Sequence, residues 1–475
     1  MKKLKSNKES PWHKKKVFAL TLGAVVCTFI ILIGPWPVYR SSGFEKKGYY
    51  EDAVRQIREQ ASRSSGYGGR LSAGWGVRKL SLPEGTPLAG YGERKGRPST
   101  GVHDEIYIKA LAMTDTHETV IIVGSDLLIV PHNISETVRR EVVEKVLVRP
   151  EAILFNASHT HSGPGGSTRG LLARFFVGKF SNEIEHAVID AYVDAMVDAH
   201  RSMSPVSLTH GSVDAPDYIK NRVREQSVAP ATVDSNIDYL VIEKDDGGTC
   251  YVVRYSAHAT VVGHRNMEFS GDFPGYLQRY IEETTGGTAI YLAGAVGSMG
   301  PRLPVGADDF IRASAMGKAL ADIVLRDIES GGAATFKDTA DLKYIGFQLV
   351  VPPLQLRITR NLRLSSLFLR IVGIRRKTWL SSIAVDEIML VGFPGDLSGE
   401  ISLIWKNRVK KDGISLIPLS FNGAYAGYIS PDAYYSEIRL NGKLAYETAI
   451  MSWCGPDQEI FFTMLLENLI EAMYH

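Results

Sequence analysis

Two histidines one residue apart, His159 and His161, lie in the stretch AILFNASHTHSGPGG at residues 152–166. The stretch begins as a short apolar run typical of a buried strand and ends in a Gly/Pro turn. Because residues i and i+2 of a strand point to the same face, both imidazoles can reach one small volume. The pattern favours a metal site or a proton-transfer site. A solvated loop that happens to hold two histidines is the alternative.

Other reactive groups also stand where apolar runs end. His258 closes the run RYSAH, Asp396 closes VGFPGD, and a glycine-rich turn, GAVGSMGP, occupies residues 294–301. Each signal is weak alone, because a histidine after a strand is more often a structural hydrogen-bonding residue and Pro-Gly-Asp is more often a turn. Together with the two motif histidines they offer imidazoles and a carboxylate, the ligand set of a catalytic zinc site that keeps one position open.

Strands and helices that alternate along the chain must position these groups. Period-two and continuous apolar runs predict strands, and a 3.6-residue spacing predicts helices. The alternation favours an α/β or mixed α+β fold, with mixed β-sheets and outer helices in one large domain. Strands are predicted at 120–130, 152–157, 239–243, 249–256, 288–293 and 382–391, and helices at 132–148, 182–200, 274–284, 308–328, 398–409 and 458–474.

The composition is that of an ordinary globular protein. Of 475 residues, 22% are charged and 44% are hydrophobic, and the net charge of +2 does not favour nucleic-acid binding. The cysteines are Cys27, Cys250 and Cys454, of which Cys27 lies in an apolar N-terminal run. At most one disulfide could form in the rest of the chain, which excludes a disulfide framework and a cysteine-rich zinc site.

The N-terminus has the pattern of a membrane anchor. Lysines dominate residues 1–16, and residues 17–33 are almost wholly apolar up to the break GPWP at 34–37. This run is short for a spanning helix but long for the core of a signal peptide, and no small-x-small cleavage signal follows. We therefore predict an uncleaved single-pass anchor in the cytoplasmic membrane, with the N-terminus in the cytoplasm and the remainder outside. A cleaved signal peptide is the alternative.

These patterns divide the chain into four parts: a basic cytoplasmic tail (1–16), a transmembrane anchor (17–38), a juxtamembrane segment with a Gly/Ser-rich linker (39–69) and a globular domain (70–475). Within the last, residues 356–377 carry many arginines and lysines, no acids, and apolar residues between them. In an anchored protein such a segment suggests contact with an anionic membrane surface. The alternative is a pair of strands with solvated basic faces.

From about Gly74 onward the chain resembles the neutral/alkaline (non-lysosomal) ceramidase family. The family's enzymes are zinc-dependent amidohydrolases that split ceramide into sphingosine and a fatty acid. The resemblance implies that residues 70–475 are a ceramidase-like catalytic domain. The similar motifs occur in the family's order: NASHTHSGPGG (156–166), NR (221–222), SAH (256–258), SGD followed by GY (270–276), PGD (394–396) and YAGYIS (425–430). The first of these is the most specific.

The resemblance implies a set of zinc ligands. His159 and His258 match histidine ligands, and Tyr428 matches a tyrosine ligand. Asp396 stands where the family has a glutamate ligand after Pro-Gly. Aspartate is one methylene shorter but remains a competent zinc ligand.

The resemblance also implies catalytic roles. His161 matches a residue that stabilises or protonates the reacting groups. Arg222 matches an arginine near the scissile carbonyl, where a guanidinium is suited to an oxyanion. Tyr446 resembles another active-site tyrosine, with a looser alignment.

The main departure from the family lies at the nucleophile. The family's turn reads Gly-Asp-x-Ser-Pro, and its serine is the proposed nucleophile. Here the turn reads Gly297-Ser-Met-Gly-Pro301, which puts Gly300 at the serine position and Ser298 at the aspartate position. Zinc-bound hydroxide could attack directly, since zinc lowers the pKa of water toward 7. Alternatively, Ser298 replaces the serine through a backbone shift, or hydrolysis is lost and binding retained.

We therefore expect a membrane-anchored, zinc-dependent hydrolase that cleaves the N-acyl amide of ceramide or a related lipid by zinc-activated water. The alternative is a non-catalytic lipid- or glycan-binding protein that retains the fold. The family's bacterial and animal members also carry a C-terminal β-sandwich domain. We expect that domain to be absent here, with the N-terminal anchor holding the site near the lipid surface.

Overall fold

An eight-stranded mixed sheet forms the larger part of the structure. The computed structural model describes residues 11–40, 43–62, 68–170, 173–223, 232–436 and 444–475. The strands are β1 (Ser72–Lys79), β2 (Tyr107–Thr114), β3 (Thr119–Ser125), β4 (Ile153–Ala157), β5 (Ser204–Asp214), β6 (Asn236–Lys244), β7 (Thr249–Tyr255) and β8 (Thr288–Ala293). They lie in the order β8-β7-β6-β5-β1-β2-β3-β4. The outermost pairs, β7–β8 and β3–β4, are parallel and the pairs between them are antiparallel.

The sheet curls until its two edge strands meet, and Asn156 of β4 fastens them. The Asn156 Nδ2 donates to the Ala293 carbonyl at 3.0 Å, and the Ala293 amide donates to Asn156 Oδ1 at 2.7 Å. The same Nδ2 donates to the carbonyl of Ser420 at 2.9 Å. This buried asparagine therefore ties the carboxyl ends of β4 and β8 together and links both to the second sheet.

Helices cover the sheet and the termini. They are α1 (Pro11–Leu32), α2 (Gly48–Ala61), α3 (His132–Val143), α4 (Asn182–Arg201), α5 (Asp272–Thr285), α6 (Asp309–Glu329), α7 (Gly399–Lys410) and α8 (Gln458–Tyr474), with shorter helices at Ala173–Val177 and Ser366–Ile371. Helix α4 approaches β1 closely because Gly76 has no side chain. A Cβ at Gly76 would lie 2.1 Å from the Ala195 carbonyl oxygen, so only glycine permits this contact.

A four-stranded sheet builds a second core. Its strands are β9 (Leu342–Val350), β10 (Lys377–Val385), β11 (Ile388–Gly392) and β12 (Ser415–Leu419), in that order, and only the last pair is parallel. Helices α2, α7 and α8 bury apolar side chains against it, including Trp405 and Phe461. Chain segments that follow β11 and β12 reach back toward the large sheet, and the candidate site lies at this junction.

The predicted mixed architecture in one large domain is confirmed, with local corrections. The strand predicted at 382–391 is a hairpin of β10 and β11, because Asp386 turns the chain at a φ of 50°. The strand predicted at 120–130 ends at Ser125. Beyond it the Asp126 carboxylate accepts a hydrogen bond from the Tyr107 amide at 2.9 Å, and the chain leaves the sheet.

Within the described residues, one helix is long and apolar enough to cross a membrane, and it lies near the N-terminus. In α1, the window Lys15–Leu32 passes this test of length and composition, and none of that window is buried. At about 1.5 Å per residue the helix is about 33 Å long, close to the hydrocarbon thickness of a bilayer. A signal sequence near the N-terminus would pass the same test. Residues 1–10 of the predicted cytoplasmic tail lie outside the described residues.

The segment that follows α1 packs onto the second core. Phe44 stacks edge-on against Phe461 at 5.4 Å, and α2 buries Ile57 there. The Gln60 side chain bonds both the amide and the carbonyl of Gly346, on β9. The predicted juxtamembrane segment therefore contains a helix, α2, that lies against the globular part. Of the predicted linker, residues 63–67 lie outside the described residues.

Of residues 356–377, only the first part resembles the pair of strands considered as an alternative, because Arg357 forms an antiparallel bridge with Arg363. Leu362–Arg363 pairs with Trp36–Pro37, just beyond α1, and the chain then forms the short helix Ser366–Ile371. The basic segment therefore lies beside the end of the candidate span.

Candidate metal centre and active site

His159 leaves the end of β4 in a left-handed backbone conformation, with a φ of 63°. Such a conformation is costly for a residue other than glycine and is common at functional sites. Its Nδ1 lies 2.5 Å from the Leu128 carbonyl, and its ring stacks on Phe421 at 4.2 Å. Because a carbonyl can only accept, Nδ1 carries the hydrogen and Nε2 presents its lone pair.

His258, three residues beyond β7, is oriented in the same way. Its Nδ1 donates to the Val296 carbonyl at 3.1 Å, so its Nε2 also presents a lone pair. The Nε2 atoms of His258 and His159 are 3.0 Å apart. Two lone pairs at this distance repel each other unless a cation or a proton lies between them.

The environment disfavours a proton at this position. Burial and, to a smaller extent, the nearby Arg222 cation lower the pKa of His159 to about 3, against the hydrogen bond to Leu128. Burial and the neighbouring His159 and Arg222 charges also lower the pKa of His258 well below its ordinary value. A metal ion is therefore the better partner for the two lone pairs.

His161 brings a third imidazole to the cluster. Its Nε2 is 3.3 Å from the His159 Nε2, and the ligand atoms of His159, His161 and His258 all lie within 4.8 Å of one another. The His161 ring packs against Tyr91 at 4.7 Å, and its buried Nδ1 has no hydrogen-bond partner among the described residues. The His161 ring is thus less constrained than the rings of His159 and His258, whose Nδ1 atoms are held by backbone carbonyls.

Asp396 adds a carboxylate from the second sheet. Its short strand, Asp396–Leu397, follows β11 and pairs in parallel with Tyr428–Ile429, so Asp396 and Tyr428 are direct neighbours. The Asp396 Oδ1 lies 3.4 Å from the His159 Nε2 and accepts no hydrogen bond within the described part of the chain. Its Oδ2 accepts from the Tyr425 hydroxyl at 2.6 Å. Burial raises the pKa of Asp396 to about 7, against the opposing effects of Tyr425 and Arg222.

The spacing of these donor atoms fits one small cation. Ligands about 2.0–2.1 Å from a tetrahedral zinc ion lie about 3.3 Å from one another. Around the His159 Nε2 the observed separations are 3.0 Å to His258, 3.3 Å to His161 and 3.4 Å to Asp396. Such an ion would bind the Asp396 Oδ1, which has no partner in the described part of the chain, and the lone pairs of the His159 and His258 Nε2 atoms.

Arg222 lies beside this cluster and is held by side chains from the second half of the chain. Its Nη1 donates to the Tyr446 hydroxyl at 2.7 Å, and its Nη2 donates to Tyr428 at 3.0 Å and to the Gly297 carbonyl at 2.9 Å. Glu447 forms an ion pair with it at 3.3 Å. Burial alone would lower the pKa of Arg222, but Tyr428, Tyr446 and Glu447 outweigh burial and raise it well above the ordinary value.

The Tyr428 hydroxyl therefore faces a permanent cation. It also lies 2.8 Å from the Tyr446 hydroxyl. Burial raises the pKa of Tyr428 well above its ordinary value, and the Asp396 carboxylate raises it further. A phenolate at this position would need both the guanidinium and a metal ion to stabilise it.

The turn that carries Ser298 and Gly300 lies next to Arg222. The Arg222 amide donates to the Ser298 carbonyl at 2.9 Å, and a Cβ at Gly300 would lie 3.3 Å from the Arg222 Cδ. The Ser298 hydroxyl, however, donates to Glu400 and accepts from the Gly399 amide at 3.0 Å. That hydroxyl is thus engaged by the first turn of α7.

The structure thus brings His159, His161, His258 and Asp396 together, with Arg222, Tyr428 and Tyr446 alongside. It also adds residues that the sequence did not single out as site residues: Tyr425, Phe421, Glu447 and Glu400. Tyr425 could have been noticed because it begins the motif YAGYIS. The others carry no local signal, because they reach the site only through the packing of distant segments.

Comparison with known proteins agrees with this architecture. Residues 83–312 match the family model described as "Neutral/alkaline non-lysosomal ceramidase, N-terminal". A neutral ceramidase of Mycobacterium tuberculosis is 26% identical over 222 residues, which are 44% of this chain and 34% of that protein. Neutral ceramidase A of Dictyostelium discoideum is 24% identical over 229 residues, 45% of this chain and 32% of that protein. The chain matches only about a third of the length of these relatives.

The fold extends further than the sequence similarity. A crystal structure of neutral ceramidase from Pseudomonas aeruginosa superposes with a TM-score of 0.71, covering 85% of this chain and 74% of that chain at 16% identity. At this identity the likeness establishes the fold. The resemblance to the neutral/alkaline non-lysosomal ceramidase family is therefore confirmed, through residues 83–312 for the sequence and through most of the chain for the fold.

Proposed function

We propose that the protein is a membrane-anchored, zinc-dependent hydrolase that cleaves the N-acyl amide of ceramide or a related lipid, with water as the nucleophile. One observation carries the proposal: the imidazole lone pairs of His159 and His258 meet at 3.0 Å beside the unpartnered carboxylate oxygen of Asp396. The relatives that are named neutral ceramidases supply the substrate class.

His159, His258 and Asp396 are the proposed metal ligands, with Tyr428 as the fourth. Metal-bound histidines usually donate their other ring N–H to a carbonyl or a carboxylate, and both His159 and His258 do so. The Tyr425 hydroxyl fixes the Asp396 carboxylate in the same manner. His161 lacks such a partner among the described residues, which supports a role in proton transfer instead of ligation.

When bound, a zinc ion polarises a carbonyl group and lowers the pKa of water toward 7. The chain's own residues then handle the protons and the charge. His161 accepts the proton of the attacking water at Nε2 and delivers it to the amine nitrogen as the C–N bond breaks, which releases a fatty acid and a sphingoid amine. Arg222 and Tyr446 donate hydrogen bonds to the carbonyl oxygen as negative charge develops there.

Water is favoured as the nucleophile because the family's serine has no counterpart at its position. Gly300 has no side chain, and the hydroxyl of Ser298 already donates to Glu400. To attack a substrate beside the histidines, Ser298 would have to give up that bond and the bond from the Gly399 amide.

The proposed location is the cytoplasmic membrane, with the N-terminus in the cytoplasm and the catalytic domain outside. The apolar window Lys15–Leu32 and the lysines that precede it support this orientation.

A non-catalytic lipid- or glycan-binding protein is the second candidate. The observation that favours it is the combination of Gly300 and a Ser298 hydroxyl that is bound elsewhere. Such a protein would retain the metal and bind the lipid without turnover.

The test combines metal analysis with turnover. Full-length protein in detergent should contain about one zinc ion per chain and release sphingoid base from N-acyl lipids, and a chelator should abolish this release reversibly. His159→Ala should bring the metal content to background and lower turnover by about a thousandfold, because a metal ion supplies several kcal/mol of transition-state stabilisation. His186→Ala, which removes an exposed histidine on α4, is the matched control and should change neither quantity.

The outcomes separate the hypotheses. If the wild-type protein holds no metal after zinc loading, or if His159→Ala binds as much as the wild type, the metal site is wrong. If zinc binds normally and no N-acyl lipid is turned over, the binding-protein alternative is supported.

A further inference from the structure

The basic segment 356–377 is fastened to the end of α1. The Ser365 amide donates to the Ile33 carbonyl at 2.9 Å, and the Ser365 hydroxyl donates to the Ile31 carbonyl at 3.0 Å. Leu362–Arg363 pairs with Trp36–Pro37 directly beyond the helix. If α1 spans the membrane, these contacts hold the segment at the level where the chain emerges from the bilayer.

The exposed surface of this segment mixes cations with apolar side chains. Residues 356–377 include seven arginines and lysines and no acidic residue. Ile371 has 64% of its surface exposed, and Leu367 and Ile358 are also exposed. The exposed cations are Arg360, Arg370, Arg375 and Lys377. Arginines beside exposed leucine and isoleucine are suited to an anionic lipid interface, where headgroups bind the cations and acyl chains bind the apolar side chains.

The segment is also joined to the loop that carries Tyr446. The buried Arg357 donates through Nη1 to the Thr448 carbonyl at 2.8 Å, two residues after that tyrosine. The Gln355 amide donates to the Trp453 carbonyl at 2.7 Å. Through these bonds, the position of the segment is coupled to one wall of the candidate site.

A second exposed apolar pair lies close to the segment. Gly170 lies against Val372, since a Cβ there would be 3.5 Å from the Val372 carbonyl. The nearby helix Ala173–Val177 exposes Phe175 and Phe176. The Phe176 carbonyl accepts from the Gly90 amide at 2.9 Å, and Gly90 packs directly against the His161 ring.

We propose that residues 358–377, together with Phe175 and Phe176, form a membrane-docking surface that binds anionic lipid headgroups beside the anchor. The continuity with α1, the absence of acidic residues and the exposed apolar side chains favour a lipid surface over a protein partner. Docking holds residues 358–377, which contact the loop of Tyr446, and the helix of Phe175 and Phe176, which lies near His161, at the membrane surface. An N-acyl lipid substrate would enter the site from that surface. The proposal rests on the proposed membrane anchor and does not depend on hydrolysis.

The experiment measures the polarity around the segment in the full chain. Ile371→Cys is introduced with Cys27→Ser, labelled with an environment-sensitive fluorophore and reconstituted into phosphatidylcholine vesicles with or without phosphatidylglycerol. Cys250 and Cys454 are buried and stay unlabelled. The emission should shift to the blue in the anionic vesicles, and high salt should reverse most of the shift, because salt screens headgroup attraction. Leu147→Cys, at an exposed turn elsewhere, should show no such shift.

A charge-matched pair of triple variants tests the arginines. Replacing Arg360, Arg370 and Arg375 with glutamine should remove most of the lipid-dependent shift, whereas Arg140, Arg201 and Lys411 replaced with glutamine should preserve it. Leu367→Cys provides a second reporter if Ile371→Cys does not fold. A label that stays in a water-like environment, a shift that survives in the first triple variant, or a shift that depends on protein density in the bilayer would overturn the proposal. The last result would mean that a second copy of the chain covers the surface.

Discussion

The two halves of the candidate site are held by different kinds of contact. The histidine half comprises His159, His161 and His258 at the ends of strands of the eight-stranded sheet. The acid–tyrosine half comprises Asp396, Tyr428 and Tyr446, which follow strands of the four-stranded sheet. In the histidine half, the backbone carbonyls of Leu128 and Val296 orient the rings of His159 and His258.

The acid–tyrosine half depends on side chains instead. Tyr425 holds one oxygen of Asp396. Arg222, which belongs to the first half of the chain, binds both Tyr428 and Tyr446. A substitution leaves the backbone carbonyl of a residue in place, so a contact to that carbonyl can survive it. A contact between two side chains is lost when either residue changes. The match to the family model has a corresponding limit, because residues 83–312 contain the histidines and Arg222 but none of the acid–tyrosine half.

A buried ion cluster joins the two halves away from the proposed metal ligands. Asp234 and Arg254, both almost fully buried, pair at 2.6 Å. The Ser402 hydroxyl of α7 donates to Asp234 at 2.9 Å, and the Arg254 Nε donates to the Pro418 carbonyl at 3.4 Å. The cluster therefore connects the large sheet to α7 and β12.

Among the contacts between the two halves, the largest effect is expected from removing the arginine that connects them. Arg222→Ala should lower kcat about 100- to 1,000-fold, because it deletes the cationic donor proposed to stabilise the developing oxyanion. Zinc content should stay near one per chain. Arg222→Lys should restore little, since a single ammonium cannot take the place of the planar guanidinium, whose two Nη atoms bind Tyr446, Tyr428 and the Gly297 carbonyl. Turnover of an N-acyl lipid and metal analysis are the measurements, and unchanged turnover in Arg222→Ala would remove Arg222 from the chemistry.

The second effect is a loss of stability, expected where the buried Asp234–Arg254 pair joins the two halves. Asp234→Asn should lower the free energy of unfolding by about 3 kcal/mol, because it removes the nearer of the two carboxylates that pair with the buried Arg254 and leaves only Asp238, at 3.3 Å. Denaturant titration gives this value, with Asp412→Asn, an exposed position, as the control expected to change it by less than about 0.5 kcal/mol. A loss no larger than that of the control would show that the cluster does not stabilise the junction.

The same pair predicts a pH dependence. Burial alone would raise the pKa of Asp234, but Arg254 and Lys406 outweigh burial and lower it to about 2. Since the unfolded value is near 3.9, this stabilisation is present above about pH 4 and is lost as the pH falls toward 2. The difference in unfolding free energy between the wild type and Asp234→Asn should therefore shrink over that window.

A smaller effect is expected from Tyr425→Phe in the acid–tyrosine half. Loss of the hydrogen bond to Asp396 Oδ2 should weaken zinc affinity about 10- to 100-fold, as for other groups that orient a metal ligand. Competition with a fluorescent chelator measures the affinity. Tyr474→Phe, which removes a buried hydroxyl far from the site, is the matched control. Equal affinities in both variants would mean that backbone pairing alone holds Asp396 in place.

The smallest effect is expected at the turn between the halves. Ser298→Ala should lower turnover tenfold or less, because its hydroxyl bonds Glu400 and the Gly399 amide and has no proposed role in attack. Progress curves should show no burst of acylated enzyme in either protein. A loss of a thousandfold or a burst that vanishes in Ser298→Ala would identify this serine as the nucleophile.

Sequence patterns predicted part of the fold well. The strand before His159 and most of the helices were predicted close to their observed bounds, because their apolar spacing reports directly on one buried face. Strands β1, β2, β5, β9 and β12 were not predicted. In β1 and β2, small residues and charges such as Lys109 interrupt the apolar pattern, and tertiary burial decides their structure. The Lys109 ammonium is buried beside Glu282 at 2.6 Å, a partner that no local pattern reveals.

The site was predicted in its residues but not in its arrangement. The motif around His159 and the family's order of motifs singled out the histidines, Asp396, Arg222 and the tyrosines. Their catalytic and metal-binding roles remain predictions until the experiments above are done. Tyr425 and Glu447 escaped notice because a hydrogen bond to Asp396, 29 positions away, or an ion pair with Arg222 in the first half of the chain leaves no periodic trace in the sequence.

The sequence by itself determined which groups are available and which local turns carry them: an H-x-H motif at a strand end, a carboxylate after Pro-Gly and a glycine where a serine nucleophile was expected. Only the tertiary structure decided that they meet. The curl of the sheet, fastened by Asn156 between β4 and β8, brings the turns of His159 and His258 together. The parallel pairing of Asp396 with Tyr428 delivers the second half. Strand order and register are long-range properties that are set by the burial of both cores. The residues next to each site residue along the chain therefore do not indicate which distant residues it will contact.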